Sequence, residues 1–352
     1  VSSLLSLARP DILALQPYRH AAWEPSLERL HANEMPWRAE GDNSSAGLNR
    51  YPEPQPRALV DRMSQLYDVP PGRLLVGRGS DEAIDLLSRA FCRAGEDGVV
   101  VCPPTFGYYS VAARIQGAAV VEVPLLVGAG FALDLGSVID AGLRAKIVFL
   151  CSPNNPTGNL LDEADLLEVC DRLAGRALVC VDEAYLEFSG RASLAGRVSA
   201  TPNLVVLRTL SKAYALAGAR CGTLIACEEI VDLLRRIIPP YAIPASTVED
   251  VLALTEARQR ALSGERIRLI LTERERMAAR LEAAPAIETV FPSDANFLLV
   301  RCRDAGRVLE AGRAVGLLVR DFSTAPRLAG CLRMTVGTPE QNDRLLAAVE
   351  AT

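Results

Sequence analysis

From residue 57 onward, short unbroken apolar runs alternate with longer stretches in which apolar residues recur at helical spacing. "RALVDRMSQLY" predicts an amphipathic helix. "RLLVGRG" then predicts a strand and "SDEAIDLLSRAF" a helix. "GVVVCPP" predicts a strand and "FGYYSVAARIQ" a helix. "AAVVEVPL" and "KIVFLCSP" predict strands with a short helix between them. "DEADLLEVCDRLA" predicts a helix, and "ALVCVDEAY" and "NLVVLRTL" predict strands. These strands are continuously apolar, as expected when helices cover both faces of a sheet. Strand–helix alternation predicts an α/β fold with an open, mostly parallel sheet, whose site lies at the carboxyl ends of the strands.

After "GTLIACEEIVDLLRRIIPPYAIP" the pattern changes. "STVEDVLALTEARQRAL" and "GERIRLILTERERMAARLEAA" predict two long helices. "IETVFP", "NFLLVRC", "LLVRD" and "CLRMTVG" predict strands, with helices near "AGRVLEAGRAVG" and from Pro339. A smaller α+β domain fits this region. The opening stretch is irregular, with Pro10, Pro17, Pro25 and Pro36 interrupting any long helix. The resulting division is an N-terminal arm over 1–45, a large domain over 46–245 and a small domain over 246–352.

Composition narrows the chemistry. Of 38 Lys+Arg, only Lys146 and Lys212 are lysines. The net charge of −5 gives no electrostatic case for nucleic acid or an anionic membrane. No apolar run approaches the ~20 residues that span a bilayer. Nine cysteines are scattered without a C-x-x-C pair, which argues against a zinc or dithiol site. Their odd number, with no signal peptide, fits a reducing cytoplasm. His20 and His31 are the only histidines, so neither a histidine-rich metal site nor a Ser-His-Asp triad is expected.

Four clusters fall at predicted strand ends. In "GRGSDEAIDLL", Ser80 or Asp81 can cap a helix whose first N–H groups can hold an anion; a plain capped turn reads the same way. "SPNNPTG" is a turn with two asparagine amides, Asn154 and Asn155. In "VDEAY", Asp182 ends an apolar strand, where a carboxylate needs a cationic partner, and Tyr185 can reach the same space; a cap with a salt bridge is the plainer reading. In "RTLSKAYALAGARCG", Thr209, Ser211 and Arg220 flank Lys212, a set suited to a phosphate. Lysine, unlike arginine, can lose its proton and attack a carbonyl. Together these groups call for a ligand with a carbonyl, a phosphate and a ring nitrogen. Pyridoxal phosphate has all three.

The order of "SPNNPTG", "DEAY" and "TLSKAYALAGARCG" resembles fold-type I pyridoxal-phosphate aminotransferases. More narrowly it is similar to the histidinol-phosphate aminotransferase family, a likeness that extends through "LQPYR", "NRYPEP", "CPPTFGYYS", "SDANFLLV" and "CLRMTVGTPEQN". The resemblance implies that Lys212 forms the Schiff base, that Asp182 pairs with the pyridine nitrogen, and that Asn155 and Tyr185 bond the ring hydroxyl. It implies that Phe106 stacks on the ring and that Ser80, Asp81, Thr209, Ser211 and Arg220 surround the cofactor phosphate. Tyr51 would reach the cofactor phosphate of a neighbouring subunit in a homodimer, and the arm would pack on the small domain and on that partner. Arg333 matches the arginine that holds the carboxylate of glutamate or 2-oxoglutarate. Arg320, with Tyr18 and Asn33, matches the substrate-phosphate region. Phe106 departs from the tyrosine common in the family.

The activity so implied is transamination in L-histidine biosynthesis, from L-histidinol phosphate to 2-oxoglutarate, giving imidazole acetol phosphate and L-glutamate. The rivals are a phospho-amino-acid decarboxylase and an aromatic or aspartate aminotransferase on the same fold. A non-catalytic pyridoxal-phosphate sensor would carry a basic helix-turn-helix region, which the sequence lacks.

Overall fold

A computed structural model describes residues 4–21, 24 and 26–352; Pro25, expected to interrupt the arm, lies outside them. The large sheet has seven strands: β1 (Leu74–Gly77), β2 (Gly98–Val101), β3 (Ala119–Glu122), β4 (Ile147–Cys151), β5 (Leu178–Asp182), β6 (Leu204–Thr209) and β7 (Gly222–Ile225). Their order is β1-β7-β6-β5-β4-β2-β3. All neighbours are parallel except β7, which runs against both β1 and β6.

Helices α2 (Arg57–Tyr67), α5 (Leu135–Gly142) and α6 (Glu163–Arg172) cover one face, and α3 (Ser80–Phe91), α4 (Tyr108–Ile115) and α7 (Glu228–Arg235) the other. The short α1 (Pro10–Ala14) lies in the arm. Adjacent residues of one strand therefore enter different cores. Val179 and Val181 pack with the α2 side, Leu178 and Cys180 with the α3 side. This two-sided burial explains why the strands read as unbroken apolar runs, each fully buried Val or Leu contributing about 1.5–3 kcal/mol.

Beyond the large sheet lie α8 (Ala245–Leu254) and α9 (Ala257–Ala283). They are followed by β8 (Ile287–Val290), β9 (Phe297–Cys302), α10 (Ala305–Ala314), β10 (Arg320–Asp321), β11 (Cys331–Thr335) and α11 (Pro339–Glu350). The second sheet is antiparallel, ordered β10-β11-β9-β8.

Two details differ from the sequence pattern. The break between the paired helices falls at Thr255–Glu256, ahead of Gly264, which sits inside α9. Arg62 of α2 donates to Leu252 O and Thr255 Oγ1 at 2.7 and 2.9 Å, pinning the end of α8 to the large unit. Val251 of α8 is likewise buried in the large-sheet core. The start of the arm also packs on the large unit, where the small domain was expected: Leu4, Leu7 and Ala8 bury beside α3 and α7. Among the described residues no helix is long and apolar enough to cross a membrane.

Candidate active site

The turns at the carboxyl ends of β1, β2, β4, β5 and β6 meet the small sheet around a cavity of about 680 Å³. Ser80, Asp81, Phe106, Asn155, Asp182, Tyr185, Thr209, Ser211, Lys212 and Arg220 all line it, as do Arg320 and Arg333. Tyr18, Asn33 and Tyr51 do not. Asn33 and Tyr51 line a cleft beside Pro244, and Tyr18 lines another beside Pro239. Tyr51 is half exposed and stacks on Tyr241 with ring centroids 4.7 Å apart.

At one end, the backbone packs too closely for side chains. Gly222 faces Gly77 across the β1–β7 pair, and a Cβ on it would lie 2.6 Å from the carbonyl carbon of Gly79. Gly79 itself has φ +90°, where L side chains are strained. This approach brings Arg220 of the β6–β7 connection against the start of α3, with Nη2 3.3 Å from Asp81 Oδ2. Ser80 is not the helix cap expected from sequence: Gly79 holds that position and gives no side-chain hydrogen bond. The first N–H groups of α3 therefore lack a side-chain cap beside Ser80, Ser211 and Arg220. That set of N–H, hydroxyl and guanidinium donors suits a phosphate dianion.

Across the cavity, β5 divides the "DEAY" motif by strand alternation. Asp182 turns to the α3 side; Glu183 turns away into a buried ion pair with Arg208, 3.0 Å. Asp182 is 3% exposed. Its Oδ2 accepts from Tyr109 Oη at 2.7 Å and its Oδ1 from the Ala184 N–H at 3.1 Å. Burial pushes its carboxyl up to about 6, against the pull of those two donors; Asp81 adds to the rise and Lys212 opposes it. The paired asparagines also divide the work. Asn154 is buried, accepting from Thr105 Oγ1 and donating to Pro104 O at 2.8 Å each, so it ties the turn after β2 to the turn after β4. Asn155 faces the cavity, where its Oδ1 accepts a short hydrogen bond from Arg333 Nη1.

Lys212 follows β6. Its side chain is reachable from solvent through the cavity, and its amine lies 5.5 Å from the centroid of the Tyr185 ring. Partial burial, then the neighbouring Arg333, depress its pKa below the usual lysine value; Asp182 and Asp81 oppose this and Arg220 adds to it. Arg333 is held over Phe297 and Phe322, at 5.1 and 5.6 Å to the ring centroids. Its Nε is buried without a partner, a donor free for an anion. Arg320 pairs with Arg333 across β10 and β11, so both guanidinium groups reach one wall.

Sequence reasoning missed Tyr109, Thr105, Tyr108, Cys151 and Phe322. Tyr109 falls on the apolar face of α4 and reads as core; only its hydrogen bond to Asp182 distinguishes it.

The raised carboxyl of Asp182 has a measurable consequence. Between about pH 4 and pH 6 the folded chain binds a proton that the unfolded chain has released, its ordinary value being 3.8. Stability of the cofactor-free protein therefore falls as pH rises through that window. Asp182→Asn abolishes this fall. Without cofactor, the variant should melt with the wild type at pH 4 and about 3 °C or more above it at pH 7. Calorimetry at the two pH values checks this, and an equal offset at both would assign the change to something other than ionisation.

Residues 27–349 match the family described as aminotransferase class I and II. A histidinol-phosphate aminotransferase from Stenotrophomonas maltophilia (strain R551-3) is 46% identical over 357 residues, covering 100% of this chain and 98% of the relative. Another, from Shigella flexneri, is 42% identical, covering 99% of this chain and 98% of the relative. Among solved structures, the histidinol-phosphate aminotransferase from Sinorhizobium meliloti in complex with pyridoxal-5'-phosphate aligns with TM-score 0.74 at 25% identity. That alignment covers 86% of this chain and 82% of that one.

Proposed function

The chain belongs to the class I and II aminotransferases, and from that premise we propose that it carries the amino group of L-histidinol phosphate to 2-oxoglutarate in L-histidine biosynthesis. The products are imidazole acetol phosphate and L-glutamate, and the carrier is pyridoxal phosphate. The observation that carries this reading is the position of Lys212: one of two lysines in the chain, it lies in a cavity with a buried carboxylate and three arginines.

When bound, pyridoxal phosphate supplies a carbonyl to carry the amino group and a protonated ring that draws electrons from the substrate's α-carbon. The residues around the cavity fit it. Ser80, Thr209, Ser211, Arg220 and the first N–H groups of α3, that of Asp81 among them, would hold its phosphate, with the Asp81 carboxylate on Arg220, and Asp182 would hold its ring nitrogen. Asn155 and Tyr185 would hold its ring hydroxyl, and Phe106 the ring face. The depressed pKa of Lys212 favours the neutral amine over an ordinary lysine's, the form in which Nζ can attach to a carbonyl and later accept and return a proton. Arg333 would bind the dicarboxylate through its unpartnered Nε, and Arg320 the substrate phosphate. Tyr51, away from this cavity, would serve the cavity of a second copy in a homodimer, whereas Tyr18 and Asn33, expected beside Arg320, line other clefts. The free thiols at all nine cysteines fit a cytoplasmic location.

An absorbance spectrum of the pyridoxal-phosphate-loaded protein tests this. Adding L-histidinol phosphate without a keto acid should convert the lysine-bound band to the pyridoxamine band, and 2-oxoglutarate should restore it. An unmoved band would overturn the substrate assignment; release of carbon dioxide from a carboxylate-bearing phospho-amino acid supplied in its place, with no keto acid present, would favour the decarboxylase.

A further inference from the structure

Tyr109 has no part in the proposed cofactor contacts, yet its phenol touches the carboxylate assigned to the ring nitrogen. Tyr109 is fully buried, and Oη lies 2.7 Å from Asp182 Oδ2. Its ring stacks flat on Phe149, with centroids 5.0 Å apart and planes 2° from parallel. The ring of Phe106 meets it nearly edge-on at 5.5 Å. Two aromatic contacts thus fix where the hydroxyl points. With the Ala184 N–H on Oδ1, each Asp182 oxygen receives one donor, which sets the plane of the carboxylate. We infer that Tyr109 is the positioning residue for Asp182, holding its carboxylate ionised and oriented toward the cofactor ring.

This inference rests on the cavity being the pyridoxal-phosphate site. A hydrogen bond to an ionised carboxylate stabilises the charged form, and a buried carboxylate that loses one becomes more basic. An Asp182 without the phenol would then compete with the ring nitrogen for the proton between them. Phe106 contacts the same phenol from the cavity wall, so the ring expected to stack on the cofactor and the group that orients Asp182 are packed as one unit.

Tyr109→Phe keeps the stacking and removes only the hydroxyl. It should lower kcat about tenfold with KM within about twofold, and weaken pyridoxal phosphate binding about three- to tenfold in an absorbance titration. In an Asp182→Asn background the same change should alter either quantity by less than about twofold, because the phenol acts through the carboxylate. Equal losses in both backgrounds would overturn the inference. So would a variant whose melting temperature falls while kcat and cofactor binding stay at wild-type values. If the wild type itself takes up no pyridoxal phosphate, the cofactor reading fails and the inference falls with it, an outcome the wild-type control separates from the others.

Discussion

Lys212→Ala should lower turnover by on the order of 10⁴-fold, because in the proposed function it removes both the amine that attaches to the cofactor carbonyl and the group that moves the proton. Lys212→Arg should fail as completely. Arginine keeps the positive charge and most of the reach, but it does not give up its proton in proteins. The pair of variants thus separates amine chemistry from charge: were Lys212 present as a partner for Asp182 or Asp81, the arginine variant would retain most of the activity. Lys212→Ala should not lose stability. Partial burial, then the neighbouring Arg333, disfavour a charged amine here, so the alanine variant relieves that cost, whereas the arginine variant keeps the charge and should melt no higher than the wild type. Steady-state kinetics with L-histidinol phosphate and 2-oxoglutarate, alongside melting curves, provide the check.

Asp182→Asn should lower kcat by on the order of 10³-fold, the scale on which a preorganised charge acts in a water-poor site. Asparagine preserves the shape, its one oxygen can still accept from the Ala184 N–H and its amide can donate to the Tyr109 hydroxyl, but it cannot keep a proton on a ring nitrogen. The plainer reading of a strand-ending aspartate, as a cap or ion-pair partner, predicts the opposite profile: activity within about threefold and lower stability. The Ala184 N–H bond is indeed a local turn contact, so both roles have some footing in the geometry. Kinetics at fixed saturating pyridoxal phosphate distinguishes them, since weaker cofactor retention is then removed from the comparison.

Much of the cavity was legible because its residues sit at fixed offsets from strand ends. Strand alternation places Asp182 and Glu183 on opposite faces, and the turn residues in "SPNNPTG" and "GRGSDEAIDLL" mark where backbone stops pairing and lines the cavity. The rarity of lysine made Lys212 conspicuous in a way no arginine could be. The division of labour between Asn154 and Asn155 was not legible. It depends on a contact across the turn after β2, fifty residues earlier in the chain. Tyr109 stayed hidden for a related reason: a buried aromatic on a helix's apolar face carries the same sequence pattern whether or not its hydroxyl has a partner. The break between α8 and α9 was misplaced because Gly264 signals a weak helix, whereas the actual end is set by Arg62, from a helix about 190 residues upstream. Each miss comes from a long-range contact that the local pattern does not encode.

Lys212 is the residue proposed to join the cofactor, and the small number of lysines makes that attachment directly testable. The protein is saturated with pyridoxal phosphate, reduced with borohydride to fix the linkage, digested and mapped by mass spectrometry. The label is predicted on the peptide containing Lys212, with Lys146, which lies 4.0 Å from Asp97 away from the cavity, unmodified. A label at Lys146, or none at all after saturation, would contradict the account.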